Sequence, residues 1–292
     1  MKKRLSPMRR MYKSFYEIKY YNVFMNKFEI EGFDYQQNEY FFRKLWADNS
    51  IASFIIAGTK GSKDYPKGLP ALCPYAPAMY NIYDYATKCT LVNVRGVKFI
   101  PSTLQEIDKD VVIAWSNKAH KSVREILDPL FERIAHIECV IQINLNAHKT
   151  PYFIPVAPED RKKMEELWNL IQDDSEKLFI ETENFDKIKI LLSGATYIID
   201  KLYALRDQVE CEIREILGFS GLPVMEKKEH LISDEVESND EFVNVSHDSI
   251  KDCIQDFVNR FNEVFDYDLK LIDKNEIEQE GKEEEKVIED EI

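Results

Sequence analysis

Apolar residues recur along this chain at helical spacing in several long stretches, with short apolar runs and polar breaks between them. From about Arg10 to Ile30, the positions of Tyr12, Phe15, Tyr16, Tyr20, Val23, Phe24 and Phe28 predict an aromatic-rich helix, which Glu31-Gly32 ends. A shorter helix is predicted near 36–47, with Phe41, Phe42, Leu45 and Trp46 facing inward. The run IASFIIA (51–57), bounded by Gly58, reads as a buried strand. Residues 64–80 hold Pro66, Gly68, Pro70, Pro74 and Pro77, a composition that predicts an irregular loop. CTLVNV (89–94), VKFI (97–100) and VVIAW (111–115) read as strands, so 50–115 forms a small β subdomain.

A long helix is expected over about 119–148. Val123, Ile126, Leu127, Leu130, Phe131, Ile134, Ile137, Ile141 and Leu145 form one continuous stripe. Pro129 lies inside it, either in the first turn of a helix capped by Asp128 or at a kink in a single helix. The stripe runs on through the proline, which favours the kink. After Lys149-Thr150-Pro151 come a strand YFIPV (152–156), a helix over about 159–173, and strands KLFIE (177–181) and KIKILL (187–192). A further long helix is expected over about 196–217, with Ile198, Leu202, Leu205, Val209, Ile213 and Ile216 along one side. Gly218 and Gly221-Leu222-Pro223 terminate it. Another helix spans about 247–265, with Ile250, Ile254, Phe257, Phe261 and Val264 inward, and YDLKLI (267–272) is a short strand. The fold class is α+β and mainly helical, with two long amphipathic helices bracketing a small α/β insert.

The run MEKKEHLISDEVESNDE (225–241) breaks the pattern. It holds nine charged residues with a net charge of −5, and Met225, Leu231, Ile232 and Val236 fit no sustained period. It is expected to be a polar loop that buries no face. A long, non-repetitive excursion of this kind between helices is commonly either functional or disordered.

Composition narrows the choices. A chain of 292 residues with 44% hydrophobic content can bury a substantial core. Its net charge of −14 excludes tight, sequence-blind binding of nucleic acid over the whole surface. The charge is uneven. Lys2, Lys3, Arg4, Arg9, Arg10 and Lys13 give residues 1–14 a charge of +6 with no acid, whereas 274–292 carry −6 and are expected to be disordered. No apolar stretch follows the basic arm, so it is not read as a secretory signal, and no run is long enough to span a membrane. The five cysteines are dispersed, which predicts reduced thiols, some of them in the core.

Catalytic and cofactor signals are weak. GTKGSK (58–63) follows a strand but lacks the spacing of a phosphate-binding loop. His136 and Cys139 have half the spacing of a metal site and no second pair to complete it. Asp234, Glu235 and Glu237 could form paired carboxylates, but they have no partner base and read as solvated charge. No nucleophile motif occurs. The chain is therefore expected to be neither an enzyme nor a holder of a cofactor or metal. The basic arm is the clearest electrostatic signal, suited to phosphate or an acidic surface. Lys201, Lys227 and Lys228 are ordinary surface lysines in one copy and acquire meaning only if several copies converge on an axis.

NLNAHKTP (144–151) and MEKKEHLISDEVESNDE (225–241) resemble the portal proteins of small short-tailed bacteriophages of Gram-positive hosts, also called upper collars or head–tail connectors. YIIDKL (197–202), VVIAW and the basic arm follow in the expected order, and the likeness fades after about 265. The resemblance implies a homo-dodecameric ring around a channel for double-stranded DNA. It would place the basic arm and wing at 1–118, stem helices at 119–149 and 196–217, a clip at 150–195, a channel loop at 218–245 and a crown at 246–273, with the tail at 274–292. It implies that Lys201, Lys227 and Lys228 face the DNA, although Leu192 stands where the family has another lysine. Glu226, Glu229, Asp234, Glu235, Glu237, Asp240 and Glu241 would belong to the channel loop. The basic arm would contact the packaging machinery, including a packaging RNA in some members. Implied partners are the major capsid protein, lower collar and tail proteins and a packaging ATPase, at the head–tail junction of the virion, with no membrane. The alternative reading is an acidic helical adaptor that docks through its basic arm.

Overall fold

A computed structural model describes residues 6–56, 67–92, 100–149, 152–153, 162, 191–192, 196–219 and 233–274. GTKGSK, most of VKFI, all but residue 162 of the helix expected over 159–173, the strand expected over 177–181, and the tail from 275 lie outside these residues.

Helix α1 spans Pro7–Met25. Ser6 starts it by accepting a hydrogen bond from the Arg9 amide at 3.3 Å, and Pro7, which has no amide hydrogen to leave unpaired, occupies the first turn. The sequence pattern runs this helix on to Ile30, but it stops at Asn26, and β1 (Phe28–Glu31) follows. The F-E-I-E alternation of β1 buries Phe28 and Ile30 on one face. Phe24 and Phe28 lie four residues apart, which imitates one more helical turn. α2 (Tyr35–Asp48) opens with a reciprocal cap in which Asp34 accepts from the Gln37 amide and the Gln37 side chain accepts from the Asp34 amide, both at 2.7 Å.

Two small antiparallel sheets follow. β2 (Ser50–Ile56) lies between β3 (Leu69–Cys73) and β7 (Val112–Trp115), and β5 (Ala86–Leu91) lies between β4 (Tyr75–Tyr80) and β6 (Gln105–Glu106). The loop expected over 64–80 is therefore wrong for 69–80. Pro70 and Pro77 are tolerated because β3 and β4 are edge strands, where a missing amide donor need not break a ladder, and β4 is also irregular around Pro77 and Met79. Ala52, Phe54, Cys73, Cys89, Leu91, Val111 and Ile113 form one apolar cluster shared by the two sheets. Burial pushes the Cys89 thiol up to about 11, so it behaves as a small core hydrophobe.

α3 (Val123–Lys149) is a single helix with Pro129 inside it. The Ser122 hydroxyl accepts from the Glu125 amide at 3.1 Å, so the helix starts before Asp128 could cap it. β8 (Tyr152–Phe153) pairs antiparallel with β9 (Leu191–Leu192). α4 (Ile199–Ile216) ends where Gly218 adopts φ +67°. The Gly218 amide donates to Glu215 O and the Phe219 amide to Arg214 O, a closed C-terminal turn that requires the left-handed conformation. α5 (Ser233–Phe265) leads to β10 (Lys270–Asp273), which pairs antiparallel with β1, Phe28 opposite Asp273.

The main core joins α1, α2, α3, α4, α5 and the inner faces of β2 and β7, with Tyr20, Phe24, Phe41, Phe131, Phe257 and Phe261 among its largest buried side chains. Ion pairs give the helix directions. Glu17 pairs with Arg124 and Lys13 with Asp128, while Arg133 pairs with Glu212 and Glu138 with Arg206, so α1 and α4 both run antiparallel to α3.

Candidate functional site

Lys201 lies on the first turn of α4 and is exposed. Asn144, within NLNAHKTP, sets that turn. Its side-chain amide donates to Thr196 O at 3.0 Å, and its carbonyl oxygen accepts from the Ile198 amide at 3.4 Å. From the same motif, the His148 ring meets Tyr197 edge-on at 5.4 Å. The motif thus joins the end of α3 to the start of α4. Asp200, beside Lys201, accepts from the Tyr197 hydroxyl at 3.5 Å.

Lys227, Lys228, Glu226 and Glu229 lie outside the described residues. Asp234, Glu235, Glu237, Asp240 and Glu241 fall in the first turns of α5, not in a loop. The helix expected from 247 begins at Ser233. Periodicity reports only whether a face is buried, and a segment without an apolar stripe can still be helical. Acidic residues near a helix N-terminus also complement its dipole. Residues 218–245 are therefore helical from Ser233 onward.

Lys2, Lys3 and Arg4 lie outside the described residues, whereas Arg9, Arg10 and Lys13 sit on the first two turns of α1. Lys13 pairs with Asp128 at 2.7 Å and Glu132 at 3.6 Å, and Arg9 donates to Glu132 O at 3.5 Å. α3 thus takes Arg9 and Lys13, and of the three Arg10 is the exposed one. Acids on α3 also offset the unfavourable placing of cations at a helix N-terminus.

A part-buried polar network ties α1, α3 and α4 together, and no local sequence signal marks it. The Tyr16 hydroxyl donates to Glu138 at 2.6 Å, with Arg206 at 3.9 Å from the same carboxylate. Glu210 accepts from Lys19 at 2.6 Å and Tyr20 at 2.8 Å, with Arg214 at 3.5 Å. Burial raises the Glu210 carboxyl, but its bonds from Lys19 and Tyr20 and the charges of Lys19 and Arg214 outweigh this and hold it below the usual value. Burial, then the neighbouring carboxylates, pushes the Tyr16 and Tyr20 hydroxyls above theirs.

Lys27 is 1% exposed, and its ammonium donates to Leu217 O at 2.5 Å and Gly218 O at 3.1 Å. It thereby caps α4 with a cation at the negative end of the helix dipole. Burial lowers its pKa to about 8, against the raising effect of Asp273 and Asp248. Nearby, His247 Nε2 lies 2.7 Å from the buried Asp273 carboxylate, which Lys251 approaches at 3.7 Å.

His136 is exposed and Cys139 buried, so the two side chains diverge. Among the described residues no three His, Cys, Asp or Glu side chains could hold a metal ion together, and no helix is long and apolar enough to cross a membrane.

The described residues thus join long antiparallel helices, tied at one end through Asn144 and His148, to two small antiparallel sheets. The family model described as Phage Connector (GP10) matches residues 2–278, and this chain belongs to that family. Within it, the chain is a head–tail connector, or portal, protein of a bacteriophage. Among solved structures it is similar to a chain of "Portal and tail of native bacteriophage P68", with 12% identity and a TM-score of 0.48, covering 90% of this chain and 86% of that one.

Proposed function

We propose that twelve copies close into a ring at one capsid vertex and form the channel through which double-stranded DNA enters and leaves the head. The observation that carries this reading is the connector family match over residues 2–278. The chemistry of a conduit supports it. DNA must move without sticking, and each phosphate contact adds salt-dependent affinity. A chain of net charge −14 repels phosphate over most of its surface. A few lysines, repeated by the ring, would slow or guide the duplex without trapping it.

Lys201, Lys227 and Lys228 are assigned this role. The exposure of Lys201 on the first turn of α4 is consistent with it. Residues 1–118 form the wing, α3 and α4 the stem, 150–195 the clip, 218–245 the channel segment and 246–273 the crown. The basic arm, with Lys2, Lys3, Arg4 and Arg10 among its cations, contacts the packaging machinery, which comprises a separate ATPase and, in some members, a packaging RNA. The wing meets the major capsid protein, and the clip meets the lower collar and tail proteins. The part this chain plays is structural, and the ATPase supplies the energy.

The test is Lys227→Ala combined with Lys228→Ala. Rings are expected to assemble as in the wild type, while retention of DNA at the end of packaging or its release at ejection changes. Unchanged retention and ejection would refute the role of the lysines, and failure of the wild type to form rings would refute the channel itself.

A further inference from the structure

α1 is apolar on two sides. Its inner side packs Tyr16, Tyr20 and Phe24 into the core and commits Arg9, Lys13, Glu17 and Lys19 to partners on α3 and α4. Its outer side carries Met8, Met11, Phe15 and Ile18, which are 42%, 59%, 59% and 57% exposed. Their spacing of three, four and three residues sets them in one stripe, about 15 Å long at the rise of an α-helix. Exposed apolar residues scattered singly need no explanation, but four in one row on a helix mark a surface that something covers.

We infer that this stripe is a contact surface for a second copy of the same chain, an inference that rests on the ring reading and names the face that builds it. Charge selects the occupant. The exposed residues of α1 include no acid, and Arg10 is the one charge among them, in a chain that has 53 acids in 292 residues. Residues 1–14 carry +6 against a total of −14, so the rest of the chain carries −20. The body of another copy is therefore an acidic surface suited to Arg10, with exposed acids such as Asp200 on α4 and Asp248 and Glu263 on α5. Duplex DNA is also acidic, but its phosphate backbone offers nothing apolar to cover Phe15 and Ile18. An acid-free apolar face meeting a different, acidic face is a head-to-tail contact, the kind that closes rings. A core poor in charge with Met and aromatic residues is also the usual composition of the centre of an interface.

The experiment is native mass measured by mass photometry across a dilution series, for the full chain and for the Phe15→Glu, Ile18→Glu double variant. Both side chains are more than half exposed, so the far-ultraviolet circular dichroism of the variant is expected to match the wild type. Twelve chains of 34.4 kDa have a mass of about 413 kDa. The variant is expected to need a roughly tenfold or greater concentration to reach the wild-type assembly, since two apolar contacts become buried charges. If the wild type assembles and the variant assembles at the same concentration, the stripe proposal falls while the ring stands. If the wild type remains one or two chains at every concentration, the ring reading falls and takes the stripe with it. Co-sedimentation with vesicles of phosphatidylcholine and phosphatidylglycerol closes the remaining route. Binding that the double variant loses, with no change in native mass between the two proteins, would assign the stripe to a lipid surface and overturn the proposal.

Discussion

At the scale of single residues, the junction below α4 depends on two unusual positions. Lys27 is buried with a pKa near 8, below its ordinary 10.5. Between these values the unfolded chain holds a proton that the folded chain does not, so stability is expected to rise as pH climbs from about 8 to 10.5, by about 3 kcal/mol in total. Tyr16 and Tyr20 act in the opposite sense. Their folded pKa values lie above the ordinary 10, so their contribution is complete below pH 10 and is lost above it. Urea midpoints from pH 7 to 11 test both: Lys27→Met should abolish the first rise, and Tyr16→Phe with Tyr20→Phe should blunt the later fall. Gly218 is the second position. At φ +67°, an added Cβ would lie 2.5 Å from His247 Cα. Gly218→Ala is expected to cost about 1–3 kcal/mol in strain alone, read as a lower thermal midpoint. The glycine was legible as a helix stop because its role is local. The burial of Lys27 was not, because the carbonyls it caps lie 190 residues further along the chain.

At the scale of elements, the three-helix frame depends on the pairing of Glu210 with Lys19, Tyr20 and Arg214. Its carboxyl titrates below the usual range, so its contribution is present above that range and is lost as pH falls through the depressed value. Glu210→Gln should flatten the loss of stability as pH falls below the ordinary carboxylate value of about 4.3 and lower it at neutral pH by about 1–3 kcal/mol, the usual cost of leaving buried partners unsatisfied. Equilibrium denaturation at stepped pH checks both. The long helices α3 and α4 were readable because a continuous apolar stripe is a statement about one element and one core. The strands over 69–80 were not, because whether a proline is tolerated depends on whether the strand is an edge, and that is settled by its neighbours. For the same reason the first turns of α5 were misread as a loop. The absence of an apolar stripe does not say which backbone a segment adopts.

At the scale of the whole molecule, charge sets the terms of assembly. Copies carrying −14 each repel one another, and apolar contacts must overcome that repulsion. Raising salt from 0.01 to 0.15 M shortens the screening length from about 30 to about 8 Å, so assembly is expected to tighten with added salt over this range. Sedimentation velocity at fixed protein concentration reads the shift. An assembly that loosens steadily with salt would mean that ion pairs, rather than apolar faces, hold the copies together.

Taken alone, the order of residues was enough to establish the helical frame, the β-rich lobe, the acidic balance, and the two motifs that point to a connector. Each of these depends on periodicity, composition or contiguous identity, all of which survive in one dimension. Only the tertiary structure decided that Arg9 and Lys13 turn toward α3, that Lys27 closes α4, that β1 pairs with β10, and that the apolar stripe of α1 faces outward. These outcomes depend on which distant segments meet, and a side chain's partner is fixed by the packing of helices and strands, not by its neighbours along the chain.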